Sequence, residues 1–310
     1  MAFTAQDVKD LREATGVGMM DCKKALTEAD GDMEKAIAYL RERGLAAAQK
    51  KAGRVTAEGM AYADVFDGTG VVVEVNAETD FVAKNDLFVS FVKGVAEAVA
   101  TYLPGDADTL LACSYPGTEK TIAQQQQEMI LVIGENITVR RFAIYTEGLS
   151  VPYVHAGGKI GVIVNIETSG ISDTGAVTEL GKDIAMQIAA MRPLYLDTAS
   201  VDPAELEKEK EIQLNKALEE NREKNLPEDK SRQIAENMVK GRINKFYEDM
   251  CLLNQPYVKE SKITVEKHVQ QVAKDLGGQI KIKAFTRFEK GEGIEKKQDD
   301  FAAEVAGMIK

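Results

Sequence analysis

The sequence predicts a multi-domain α+β chain, and three observations carry that expectation. At 310 residues the chain exceeds what one ordinary core organises. A β-branched run behind a turn occurs twice, as Gly70-Val71-Val72-Val73-Glu74-Val75 and Gly161-Val162-Ile163-Val164-Asn165-Ile166, and a helical apolar stripe follows each copy. Residues 4–43 and 202–250 show helical period alone.

Residues 1–54 are expected to form a compact three-helix module and its linker. Val8, Leu11 and Ala14 sit at helical spacing behind a Thr4 cap and stop at Gly16. Cys22, Ala25, Leu26 and Ala29 mark a second helix; Met33, Ala36, Ile37 and Leu40 mark a third, which Gly44 is expected to close. Met19 and Met20 are adjacent in the turn between the first two helices and cannot both face one small core. One reading exposes a methionine for binding, as suits its adaptable side chain; the other buries both. Lys50-Lys51-Ala52-Gly53-Arg54 reads as a basic linker.

The duplicated core is expected over residues 55–146, 147–201 and 251–288, each repeat a small antiparallel sheet covered by helices on one face. Its turns are Asp67-Gly68-Thr69 and Ala156-Gly157-Gly158-Lys159. The covering helices carry Leu87, Phe91, Val95 and Val99 in the first repeat, and Leu180, Ile184, Ile188 and Met191 in the second. Between them, Thr121–Leu131 reads as a glutamine-rich helix, and Ile133-Gly134-Glu135-Asn136-Ile137 as a turn before the strand Thr138–Tyr145.

Residues 202–250 read as an inserted antiparallel helical hairpin. Pro203 starts one helix, Asn225-Leu226-Pro227 breaks it, and Ile234, Met238, Ile243, Phe246 and Met250 form the apolar side of the next. Such an arm suits self-association, although a solvated charged face accounts for its composition equally well. Ser261–Leu276 is expected to be helical. Ile280, Ile282, Ala284, Thr286 and Phe288 alternate as a last core strand, and residues 289–310 end in a helix lined by Phe301, Val305, Met308 and Ile309.

Several chemistries are not expected. A net charge of −11 argues against direct nucleic acid binding, and between Val55 and Leu110 ten acidic residues face two basic ones. No apolar run is long enough for a membrane span, and the N-terminus lacks a secretory pattern, so a cytoplasmic protein is expected. The three scattered cysteines, Cys22, Cys113 and Cys251, suit reduced thiols, and no metal-ligand spacing appears. Gly157-Gly158-Lys159 is not a phosphate loop, because Tyr153 stands where its leading glycine belongs and Ile160 where Ser or Thr would bind magnesium. No cofactor is therefore expected. His155 has no nucleophile motif to serve and reads as a turn residue or partner contact.

What remains is Glu74-Val75-Asn76-Ala77-Glu78-Thr79-Asp80-Phe81-Val82-Ala83-Lys84, where a strand runs into a polar turn that sets an acid and a large aromatic side by side. Asp80 could cap the following helix and Phe81 staple back onto it; alternatively the pair faces outward as a contact.

Leu11-Arg12-Glu13-Ala14-Thr15-Gly16-Val17-Gly18-Met19-Met20-Asp21-Cys22-Lys23-Lys24-Ala25-Leu26 resembles the N-terminal signature of the elongation factor Ts family, and Glu74–Lys84 resembles the same family's second signature. The resemblance continues through the Ile133-Gly134 turn and covers nearly the whole chain, most weakly in the arm. It implies a ubiquitin-associated-like (UBA-like) N-terminal bundle and a guanine nucleotide exchange factor for the GTPase elongation factor Tu. Thr79, Asp80, Phe81 and Val82 would dislodge the partner's magnesium ion, with Met19, Met20, Ile133, Gly134, His155 and Phe301 as further contacts. The one departure is Ala77, where the family usually has Cys, Ser or Val. A polypeptide-binding module without exchange activity, using the three-helix domain and the arm, is the alternative.

Overall fold

The computed structural model describes residues 3–223 and 227–295 and forms two units. Of the described residues, the first holds 3–144, Val154–Gly161 and 288–295; the second holds those of Tyr145–Tyr153 and Val162–Arg287.

The first unit opens with α1 (Ala5–Thr15), α2 (Met19–Glu28) and α3 (Met33–Lys51) around Leu11, Cys22, Leu26, Ala36 and Leu40. Thr4 and Asp7 form a reciprocal capping box on α1, and Gly16 ends the helix at φ +69°, where a side chain would be strained. The Thr4 backbone and hydroxyl hydrogen bonds hold the Asp7 carboxyl below the usual range. Gly44 does not close α3. It is buried in mid-helix, where a Cβ would stand 3.4 Å from the Gln127 carbonyl oxygen, so it permits close helix packing. Lys50 and Lys51 consequently form the last turn of α3, the end of a helix that favours cations, and are not linker.

β1 (Glu58–Phe66) and β2 (Thr69–Ala77) pair from Glu58↔Ala77 to Phe66↔Thr69 and turn at Asp67-Gly68, both at positive φ, as a two-residue primed hairpin turn requires. The chain continues through α4 (Asp80–Ala83), α5 (Asp86–Tyr102), α6 (Ala107–Ala112) and α7 (Ile122–Ile133) to β3 (Ile137–Tyr145), giving a sheet of order β1-β2-β3. The α5 stripe differs from expectation at its start. Asn85 caps the helix through the Leu87 N–H, which turns Leu87 outward at 53% exposure and sends Phe88 into the core with Phe91, Val95 and Val99. Ala77 is fully buried in this core.

The second sheet has the order β4-β5-β8, from β4 (Leu149–His155), β5 (Ile160–Ser169) and the last strand. α8 (Thr174–Met191) buries Leu180, Ile184 and Ile188, whereas Met191, on its final turn, is exposed. Next come α9 (Pro203–Glu223), α10 (Glu228–Met250), β6 (Pro256–Tyr257), β7 (Glu260–Thr264), α11 (Val265–Asp275) and β8 (Gln279–Glu289). α9 and α10 pack along each other, with the small side chains of Ala217 and Ala235 buried and the Asn221 amide donating to the Ser231 carbonyl at 2.8 Å. Ile234, placed on the apolar side by its sequence, is exposed; Ala235 beside it is the buried residue. Residues 261–264 are not helical. They pair with β6 as a strand, as the β-branched Ile263-Thr264 favours, and Thr264 then caps α11. The expected terminal stripe of Phe301, Val305, Met308 and Ile309 lies outside the described residues.

The two repeats correspond closely. Glu74 and Asn165, at matching positions of the aligned runs, are both buried polar residues. α5 and α8 each end on a left-handed non-glycine residue followed by proline, Leu103-Pro104 and Arg192-Pro193.

Candidate functional site

The repeats part company just after their central strands. β5 reaches α8 through Gly170–Asp173, whereas β2 reaches α5 through Glu78–Asn85, a longer link that contains the single turn α4. Thr79 caps α4 at φ −124° and ψ 158°, accepting the Val82 N–H at 3.4 Å. Asp80 is therefore the first helical residue, and the cap is its neighbour. Val82 and Ala83 are buried, so α4 is fixed from beneath. Phe81 is 81% exposed and does not fold back as a staple; among the described phenylalanines it is the one exposed side chain. A phenylalanine left in water forgoes roughly 1.5–3 kcal/mol of burial, which contact with another molecule would recover.

Beside Phe81, Asp80 pairs with Lys84 at 2.7 Å. The Lys84 hydrogen bond, then its charge, and then the charge of Lys290 hold the Asp80 carboxyl below the usual range. The outer surface of the turn thus carries the exposed Phe81 ring beside the Asp80–Lys84 ion pair. Thr79 and Val82 face inward and support it.

Beneath this surface two carboxylates exchange backbone hydrogen bonds. Glu135 accepts the Thr79 N–H at 3.0 Å and the Thr79 hydroxyl at 2.7 Å, while Glu78 accepts the Asn136 N–H at 2.6 Å. Arg54 donates to Glu78 at 3.3 Å, and its carbonyl accepts the Asn136 amide at 3.1 Å. The Gly134 turn is thereby joined to α4. Gly134 itself is the exposed left-handed cap of α7, and Ile133 is half-buried against the first core.

His155 is exposed at the end of β4. The turn after it is held to β1 by the Ala61 N–H, which donates to the Gly158 carbonyl at 2.8 Å, and to Lys290, whose N–H donates to the Lys159 carbonyl at 3.0 Å. The Lys290 ammonium also binds Glu58 at 2.5 Å, on the residue opposite Ala77. Met19, 53% exposed, and Met20, 76% exposed, stand on the first turn of α2, in a different element. Phe301 lies outside the described residues. Glu78, Glu135 and Lys290 went unread in the sequence; each is a charged residue in a turn or strand end with no periodicity to mark it.

Among the described residues no group of three or more His, Cys, Asp or Glu is arranged to hold a metal ion, and no helix is long and apolar enough to cross a membrane.

The profile of the family described as Elongation factor TS matches residues 78–292. The chain is similar to curated proteins named Elongation factor Ts over its whole length. It is 47% identical to that of Syntrophotalea carbinolica, with all of both chains covered, and 46% identical to that of Magnetococcus marinus, covering all of this chain and 99% of the other. It is 48% identical to that of Clostridium perfringens, with 99% of each covered. The family match includes α4 and the Glu135 turn, and on this evidence the chain belongs to the elongation factor Ts family, whose members are translation elongation factors of protein biosynthesis.

Proposed function

We propose that the chain is a guanine nucleotide exchange factor for elongation factor Tu, binding the GDP-bound form and promoting loss of magnesium and then of GDP. The observation that supports this most directly is the exposed Phe81, held on a capped turn beside an ionised Asp80. An exchange factor makes and breaks no covalent bond; it must bind the nucleotide-free partner better than the GDP-bound one, since only differential affinity shifts an equilibrium. Phe81 acts as a wedge whose burial is better in the opened partner, and Asp80 accepts from donors that the opening frees. Thr79 and Val82 keep the wedge in place. Met19, Met20, Ile133, Gly134, His155 and Phe301 make further contacts with the partner. The first three helices serve as a UBA-like docking module, the α9–α10 arm as a surface for homodimerisation, and the cytoplasm as the setting.

Elongation factor Tu loaded with fluorescent GDP tests this. Adding the chain should raise the GDP release rate far above the spontaneous rate, and an unchanged rate would overturn the exchange reading. Because Asp80 is held below the ordinary carboxylate range, its charge should be constant over about pH 6–8. The contribution of Asp80, measured as the parent-to-D80N rate ratio, should be flat across that window and fall only at pH values acidic enough to protonate it.

A further inference from the structure

We propose that Glu135 is a positioning residue that fixes α4 in the orientation presenting Phe81, a role that rests on the exchange reading. α4 has four residues, far fewer than a helix needs to persist alone in water. Its geometry must come from its surroundings, and its N-terminal side hangs on Thr79. The Thr79 hydroxyl carries one proton. That proton goes to Glu135 Oε1 at 2.7 Å, which leaves an oxygen lone pair to receive the Val82 N–H. Glu135 Oε2 takes the Thr79 N–H at 3.0 Å, so both carboxylate oxygens are committed to the capping residue. A carboxylate satisfies the two donors together with charge-assisted bonds, whereas an amide offers one acceptor and a competing donor.

The surroundings suit a carboxylate. Glu78 makes the reciprocal bond to Asn136, so neither segment can shift without breaking both. The two acids are balanced by the end of α3, where Arg54 binds Glu78 and the Lys51 ammonium, donating to the Ile130 carbonyl at 3.4 Å, lies in the field of both carboxylates. Burial, the largest influence on Lys51, pushes its pKa down, and the two acids oppose that shift. Glu135 is half-buried, and both its oxygens are bonded to Thr79.

Full-length E135A, E135Q, F81A and F81A/E135A test the assignment with two readouts. Amide hydrogen exchange of the free proteins should show Val82 and Ala83 about tenfold less protected in E135A, with β1 and β2 amides unchanged. GDP release from elongation factor Tu should be slowed about tenfold by E135A, but not further by E135A when Phe81 is already alanine, because the two act as one unit. E135Q, which keeps one acceptor, should fall between parent and E135A. It also carries the test if E135A does not fold. Unchanged protection at Val82 and Ala83, an equal E135A effect in the F81A background, or E135Q slower than E135A would each overturn the proposal. Hydrogen exchange needs no partner. A parent chain that fails to accelerate GDP release would therefore overturn the exchange reading, while the amides still judge Glu135.

Discussion

Glu74 is fully buried, yet every direction around its carboxylate is answered. It accepts from Arg140 at 3.0 Å, Arg141 at 2.5 Å, Asn76 at 3.0 Å and the Gly291 N–H at 2.8 Å. Glu74→Ala removes the buried partner of two guanidiniums that are 28% and 32% exposed and still bonded to Glu292, so the loss should lie at or below the lower end of the roughly 3–5 kcal/mol typical of breaking a buried pair. Urea unfolding of the variant measures it. Cys251 is a second buried group, and burial raises its thiol pKa to about 11. The folded chain holds that proton more tightly than the unfolded one, so this contribution to stability is complete below the ordinary value near 9 and is lost as pH rises toward about 11. At pH near 8, Cys251 should resist alkylation in the native protein and react on unfolding, as mass spectrometry would show. The Asp80-Phe81 pair was legible in the sequence because a strand, a turn and a helix start follow each other directly. Glu135 was not, since its partner lies 56 positions away, and Glu74 finds its arginines 66 and 67 positions on.

At the scale of elements, apolar spacing identified α5 and α8 but left out the glycines that let them pack. A Cβ on Gly94 would run into the Tyr115 hydroxyl and ring, and one on Gly181 would meet Val151 Cγ2 at 2.5 Å. Tyr115 stacks on Phe91 and donates to the Ser90 carbonyl, so it cannot swing away freely. Gly94→Ala and Gly181→Ala should each cost about 1–3 kcal/mol by overpacking, despite better helix propensity, read as a lowered urea midpoint at constant slope. The misread boundaries have local causes. Gly44 looked like a stop because glycine ends many helices, yet its lack of a side chain serves the contact with α7. Residues 261–264 share the charged and β-branched composition of the helix that follows, and pairing with β6 decides in favour of the strand.

For the molecule as a whole, the duplication was readable because each repeat keeps its strand, turn and helix in sequence order. The grouping into units was not, because the first unit recruits Val154–Gly161 and residues 288–295. Within the second unit, the chain segments that flank α9 and α10 are joined to each other. Leu194 and Tyr195 donate to the Met250 carbonyl at 2.9 and 3.0 Å, and Leu252 returns a bond to Tyr195 at 2.9 Å. A short Gly/Ser linker replacing residues 202–250 should therefore spare the rest of the fold, and the proposed self-association predicts a dimeric parent and a monomeric variant in light scattering. An unaltered mass for a dimeric parent would remove self-association from the arm.

The most direct measurement of the central claim is GDP release from elongation factor Tu with parent and F81A, in excess magnesium and again with a chelator. With magnesium present, loss of the wedge should slow release roughly ten- to a hundredfold, the equivalent of one buried phenylalanine. With magnesium removed, the difference should shrink, because the step proposed for Phe81 has already occurred. An F81A chain that matches its parent in excess magnesium would contradict the account.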